Sequence, residues 1–382
     1  MISTSQTSHL DSIDSFLAME VFAKAQALEA QGRDIIHLEF GEPDFTAPPA
    51  AAESVKKSME INDAGYTFSQ GLEELRIEIA KKYANDYGVK ILPEQVLVSN
   101  GSSLLLYLAI RILAPPGSQV ILTDPCYACY ENVVRLAGAE PVMIKLRHED
   151  GFQLNVDDLK KRVTPKTRAM LINSPMNPTG VVFSSEVMTA LAELDIPVIS
   201  DEIYADLSFE DPPCSFISYS PQTVAIHGFS KSYAMTGWRL GYMITPLEWM
   251  SAADRLHQNL IISATEFVQE AGISVLRKSA AYCESMKTEF NRRRLFVLER
   301  MRELGMDLGY TPTGAFYVLY KYRDSGKSSL DLCHEVLEKT GVAIAPGRDF
   351  GLGAEGFVRI SYAQSMENLG LALNLLAESM LL

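Results

Sequence analysis

Between residues 95 and 245, short and almost uninterrupted apolar runs alternate with stretches of helical periodicity, a pattern that few architectures accommodate. The runs are Gln95–Ser99, Gln119–Thr123, Pro141–Leu146, Ala169–Asn173, Pro197–Ser200, Thr223–His227 and Leu240–Thr245. Helical patterns fall between several of them, at Ser103–Leu113, Tyr127–Ala137, Val156–Val163 and Ser185–Leu194. A strand that is apolar on both faces must be covered on both. Helices between successive strands are the crossovers that parallel pairing requires. The expected fold class is therefore α/β, with a mainly parallel seven-stranded sheet in a large domain.

The texture changes near Tyr282. A charged helix (Met286–Leu304) leads to the run Ala315–Lys321, a helix at Leu330–Thr340, the runs Val342–Ala345 and Val358–Tyr362, and a closing helix from Met366. This predicts a smaller α+β domain. An amphipathic helix, Phe16–Ala30, precedes the sheet with no strand of its own to cover, so it is expected to pack on the small domain. At 382 residues the chain exceeds the size of most single cores. The expected division is 1–44 (a segment on the small domain), 45–283 (large) and 284–382 (small).

Charge narrows the partners. The formal net charge of −14 repels phosphate backbones and anionic membranes, so neither nucleic acid nor a membrane is expected as a partner. The opening residues lack a basic, then apolar, signal. The longest apolar stretch, Leu104–Ala114, contains Arg111 and is too short to span a bilayer. Five cysteines fit a reducing, cytoplasmic setting, and Cys126 and Cys129 read as chance neighbours on a helix. The six dispersed histidines offer no metal spacing.

In open α/β sheets ligands bind at the carboxyl ends of the strands, and five segments there carry chemistry. Gly101, Ser102 and Ser103 turn into an apolar helix and could cradle a phosphate, or form a plain helix cap. The segment NSPMNPTG (173–180) is a rigid turn positioning Asn177. Asp201 follows a buried strand, where a carboxylate needs a cationic partner unless it caps a helix. Lys231 sits among small and apolar residues directly after a strand, with Arg239 eight positions on; a semi-buried lysine loses its proton more easily, as a Schiff-base lysine must. Arg359, inside the apolar run FVRISYA, is costly unless it grips a carboxylate or pairs internally.

In this order, from about Leu38 to the C-terminus, these segments resemble the class I/II aminotransferases, enzymes of the pyridoxal 5'-phosphate (PLP) fold type I. The resemblance implies that Lys231 holds PLP and moves the proton, that Asp201 pairs with the ring nitrogen, and that Asn177 and Tyr204 contact the ring oxygen. Arg239, Ser230 and the Gly101, Ser102, Ser103 turn would bind the phosphate, and Tyr127 would stack on the ring. Arg359 would hold the substrate carboxylate, with Gly41 opposite. Tyr66 matches a tyrosine that reaches the neighbouring subunit's phosphate, which implies a homodimer with shared active sites. The implied reaction moves an amino group from an L-amino acid to a 2-oxo acid by a ping-pong route, with aspartate or aromatic donors favoured.

Two positions depart from or add to the family pattern. Gly228 stands where many relatives have a serine phosphate ligand, leaving only its N–H to offer. Arg348 follows the Pro346-Gly347 turn, where small residues are common; it could read a substrate carboxylate but is expected to face water. A PLP-dependent C–S β-lyase of the same fold is the alternative activity, and such enzymes often carry histidine at the positions of Met176 or Tyr204. A ligand-sensing module of a transcription regulator would need a DNA-binding domain for which no residues are left. The string GLGAEG at 351–356 leads into a strand-like run and not a helix, so it fails as a dinucleotide fingerprint.

Overall fold

A computed structural model describes residues 10–61, 64–323 and 326–379; the opening residues read above for a signal lie in part outside this set. Helix α1 (Leu17–Glu29) and a two-residue strand β1 (Ile36–His37) come first, then α2 (Pro49–Ile61) and α3 (Glu73–Asp86). The large sheet follows as β2 (Val96–Ser99), α4 (Ser102–Leu113), β3 (Gln119–Asp124), α5 (Cys129–Leu136), β4 (Glu140–Lys145), α6 (Val156–Arg162) and β5 (Thr167–Asn173). It is completed by α7 (Ser185–Ala192), β6 (Val198–Asp201), β7 (Thr223–Gly228) and β8 (Gly241–Ile244). Helices α8 (Leu247–Ile261), α9 (Glu266–Lys278) and α10 (Ala280–Glu303) lead to β9 (Tyr317–Lys321), α11 (Ser329–Thr340), β10 (Val342–Ala343), β11 (Ala345–Pro346), β12 (Phe357–Ser361) and α12 (Met366–Glu378).

The seven strands read from the apolar runs form one sheet in the order β2-β8-β7-β6-β5-β3-β4, parallel except for β8, which runs antiparallel to both its neighbours. Alternation of side chains puts Leu97, Leu122, Leu171, Ile199 and Val224 into a core with α4, α5 and α8. Val96, Val98, Ala225 and Tyr242 face α3 and α9 on the other side. Burial of both faces is what favours continuous apolar runs over alternation.

The C-terminal part carries a three-stranded antiparallel sheet, β11-β12-β9. The run expected as one strand, Val342–Ala345, is divided. Val342–Ala343 pairs in parallel with Ile36–His37, and Ala345–Pro346 pairs with β12. The N-terminal segment thus does supply a strand, and its α1 residues Val21 and Ala25 share a core with Phe290, Val297, Leu332 and Val336. The helix expected from Met286 begins at Ala280. Among the described residues no helix is long and apolar enough to cross a membrane, and no group of metal ligands assembles.

Candidate active site

The strand order turns at β3 and β5: β4 lies beyond β3, while β6 and β7 follow β5 on the other side. Outside the carboxyl ends of these strands lies a cavity of about 340 Å³. Its lining includes Gly41, Ser102, Ser103, Tyr127, Asn177, Asp201, Tyr204, Ser230, Lys231, Arg239 and Arg359. Residues spread over more than three hundred positions of sequence are brought to one hollow.

Lys231 lies in the turn after β7 and donates from Nζ to the Gly41 carbonyl at 2.6 Å. Burial pushes its ammonium down to about 8; Glu42 opposes this, while the like charges of Arg359 and Arg239 add to it. A substantial neutral fraction near physiological pH is what a nucleophilic and basic amine requires.

Asp201 ends β6, almost fully buried. Its Oδ2 accepts from the Tyr130 hydroxyl at 2.7 Å and its Oδ1 from the Ile203 N–H at 3.2 Å. Burial pushes the carboxyl up to about 6, against these two hydrogen bonds and Lys231. The Tyr130 phenol is itself driven well above its ordinary value by burial, which keeps it a donor. Tyr130 is not among the site residues that the sequence predicts. The available signal was spacing, since it stands three residues after Tyr127, which lies just before α5; the Tyr130 N–H donates to the Tyr127 carbonyl at 3.0 Å, and the two rings meet edge to face at 5.5 Å.

Gly101 caps α4 without a side-chain bond, so the first N–H groups of the helix are open to an anion. Gly101 has φ +87°, and a Cβ there would lie 2.5 Å from Arg239 Nη2, so only glycine lets the guanidinium reach the turn. Arg239 also donates to the Thr236 carbonyl at 3.0 Å. Gly228 does not join this cradle. Its N–H donates to its neighbour His227 Nδ1 at 2.7 Å, so the expectation that it could offer that group to a ligand is corrected.

Arg359, in the middle of β12, donates to Asn177 Oδ1 at 2.9 Å and to the Glu39 carbonyl at 2.5 Å. The guanidinium lies between the rings of Tyr317 and Phe350, 4.5 and 4.6 Å from their centroids. Its Nε is buried with no partner. Among the described residues no carboxylate lies within ion-pair distance of it, which speaks against an internal ion pair. Asn177 is fixed through its N–H on Asn173 Oδ1 (2.8 Å), and the Tyr204 hydroxyl meets that of Tyr317 at 2.8 Å. A Cβ on Gly41 would overlap the Tyr317 hydroxyl, so that position too needs glycine. Two expected residues lie elsewhere. Tyr66 is outside the cavity and 83% exposed, and Arg348 is exposed, in keeping with the expectation that it faces water.

A sequence model of the family described as aminotransferase class I and II matches residues 33–376. The chain belongs to the class I and II aminotransferases. It is 38% identical over 361 residues to the (5-formylfuran-3-yl)methyl phosphate transaminase of Methanocaldococcus jannaschii, covering 93% of this chain and 94% of that protein. Its structure resembles the aspartate aminotransferase of Thermus thermophilus solved with maleate: TM-score 0.92, 34% identity, 99% of this chain and 100% of that one. It also resembles a Methanococcus jannaschii protein described as similar in its active site to kynurenine aminotransferases: TM-score 0.91, 37% identity, 100% of both chains. As a class I and II aminotransferase the chain is an amino-group transferase of a PLP-dependent family. The hollow suits that cofactor chemically: an anion cradle with an arginine, a buried acid, a lysine of lowered basicity and a partly unpartnered arginine.

Proposed function

We propose that this protein transfers the amino group of an L-amino acid to a 2-oxo acid in two half-reactions, with PLP held at Lys231. The observation that carries the proposal is the convergence of a lysine of lowered basicity, a buried acid and an arginine with an unpaired Nε around one hollow. Gly101, Ser102, Ser103, Ser230 and Arg239 would hold the phosphate. Asp201, Asn177 and Tyr204 would hold the ring, with Tyr127 against its face. When bound, PLP supplies the electron sink that stabilises a negative charge at the substrate Cα.

The chain's own groups do the rest. Arg359 holds the substrate α-carboxylate, with Gly41 closing the opposite side, and so presents the Cα to Lys231. Lys231 Nζ, neutral in a useful fraction, would take the Cα proton and deliver it across the amine nitrogen, in a 1,3-shift. Asp201 keeps a negative charge beside the ring nitrogen, where the Tyr130 hydroxyl and the Ile203 N–H fix its two oxygens. The buried walls limit water, which favours transfer over side reactions. The first product leaves before the second substrate binds, because both use the same Arg359 anchor.

The same reading divides the chain into bodies 45–283 and 284–382 with 1–44 against the second, and pairs two copies of the chain. Met59, Ile61, Tyr66 and Phe68, all large and 64–86% exposed, support a covered face that sends Tyr66 to the partner's phosphate. Aspartate and aromatic amino acids are the donors the resemblance favours.

The test is to add single amino acids to the purified holoenzyme without any oxo acid and follow the visible absorption band. Loss of the band with release of one oxo acid per site, and recovery on adding a second oxo acid, is the expected result. A persistent band with accumulating pyruvate and ammonia would establish the lyase alternative instead.

A further inference from the structure

The hollow has an end that the transfer chemistry does not use. Beyond the Arg359 guanidinium and its flanking Phe350, the cavity is walled by Phe16 and Met19 at the start of α1 and by Phe40 after β1. Phe16 lies nearly parallel to Tyr127, with ring centroids 6.5 Å apart and an interplanar angle of 24°. Phe40 is braced edge-on by Phe22 at 4.5 Å. Phe16 and Met19 are 39% and 49% exposed, so both keep apolar surface that a ligand in the hollow could cover.

The charged lining of the hollow as a whole leaves no cation unassigned. The cationic lining residues are Lys231, Arg239 and Arg359, and each already has a place in the amino-transfer reading. The acidic lining residues are Glu39, Glu42, Asp201 and Asp349. Both oxygens of Asp349 accept from the first N–H groups of α1, from Leu17 at 2.8 Å and Ala18 at 3.2 Å. It therefore fastens the apolar wall in place and offers little to a cationic ligand. A second carboxylate on the donor would find no spare cation among the described lining residues, at a high desolvation cost. An apolar side chain would instead cover exposed Phe16 and Met19 surface.

We propose that this end is the donor side-chain pocket and that Phe16, Met19, Phe40 and Phe350 select large apolar or aromatic L-amino acids over dicarboxylic ones. The inference rests on the amino-transfer reading and deepens it by choosing between the aspartate and aromatic donors that reading leaves open. Phe16 and Met19 are then specificity residues contributed by the N-terminal segment to a centre built on the large sheet.

The test uses the holoenzyme and the single-turnover rate of loss of the visible band with L-phenylalanine, L-leucine, L-alanine, L-aspartate and L-lysine. The expected result is kcat/KM for phenylalanine and leucine about tenfold or more above aspartate, a range that apolar pocket contacts readily supply. Phe16→Ala and Met19→Ala should lower the phenylalanine rate relative to the alanine rate, and Met19→Lys should raise aspartate relative to phenylalanine about tenfold. Aspartate or lysine reacting as well as phenylalanine in the unaltered enzyme overturns the inference while leaving amino transfer standing. So does a phenylalanine-to-alanine ratio unmoved by both truncations. If no amino acid discharges the band, amino transfer itself fails and the pocket assignment falls with it.

Discussion

Lys82 and Lys231 lie close to one another in the fold, since Lys82 lines a second cavity together with Ser232 and Tyr233, the residues that follow Lys231. Their surroundings are opposite. Lys82 is paired with Asp86 and Asp206, each at 2.8 Å. Burial alone would lower its ammonium, but Asp206, with lesser help from its neighbours, outweighs burial and holds it well above the ordinary lysine value. Lys231 has a backbone carbonyl as its hydrogen-bond acceptor and two arginines nearby, so burial prevails and its value falls to about 8. Depth of burial alone therefore does not make a reactive lysine. The presence or absence of a carboxylate partner decides whether the buried amine is a structural cation or a nucleophile.

The largest expected effect breaks the comparison on the catalytic side. Lys231→Ala should lower amino transfer about ten-thousand-fold, because base and cofactor tether vanish together, with no loss of stability in the cofactor-free protein. Kinetics and thermal unfolding of the same sample check both halves. Lys82→Met should do the converse. It strands Asp206 and Asp86 without their cation and should cost about 3–5 kcal/mol of stability in denaturant unfolding. The folded enzyme should keep kcat within about threefold, since Lys82 touches no part of the reacting hollow.

The two lysines also differ in the sign of their pH linkage in the cofactor-free protein. Lys231 binds its proton more weakly when folded, so its contribution makes stability rise with pH between about 8 and the ordinary 10.5. Lys82 binds its proton more tightly when folded, so its contribution is complete below 10.5 and lost only as pH climbs through the higher folded value. The smallest expected effect sharpens the same point. Glu42, held by the Thr236 hydroxyl, is the charge that most supports the Lys231 proton. Glu42→Gln should move the pH midpoint for cofactor capture by the cofactor-free protein below its starting value near 8.

How much of this could be read beforehand follows the same division. Six of the seven strands were legible because burial on both faces leaves a near-continuous apolar run, and the half-buried edge strand β4 by its core residues 141–144 alone; the segments at the strand ends stood out against them. Helix α3 was not legible, because its inward face carries Glu78 and Lys82, whose charges are satisfied by partners distant in sequence and blur the apolar period. Tyr130 was hidden because its role depends on Asp201, 71 positions away. The grip of Asp349 on the N-terminus of α1 spans 332 positions, a contact that no local pattern announces. The Gly228 N–H looked available in the sequence only because the neighbouring His227 ring that takes it is not predictable from composition.

The most direct test of the central claim is to reduce the holoenzyme with borohydride, digest it and locate the PLP adduct by peptide mass spectrometry. The account predicts a single adduct on Lys231, absent after Lys231→Ala. An adduct on Lys82 or any other lysine, or a protein that takes up no PLP, would contradict it.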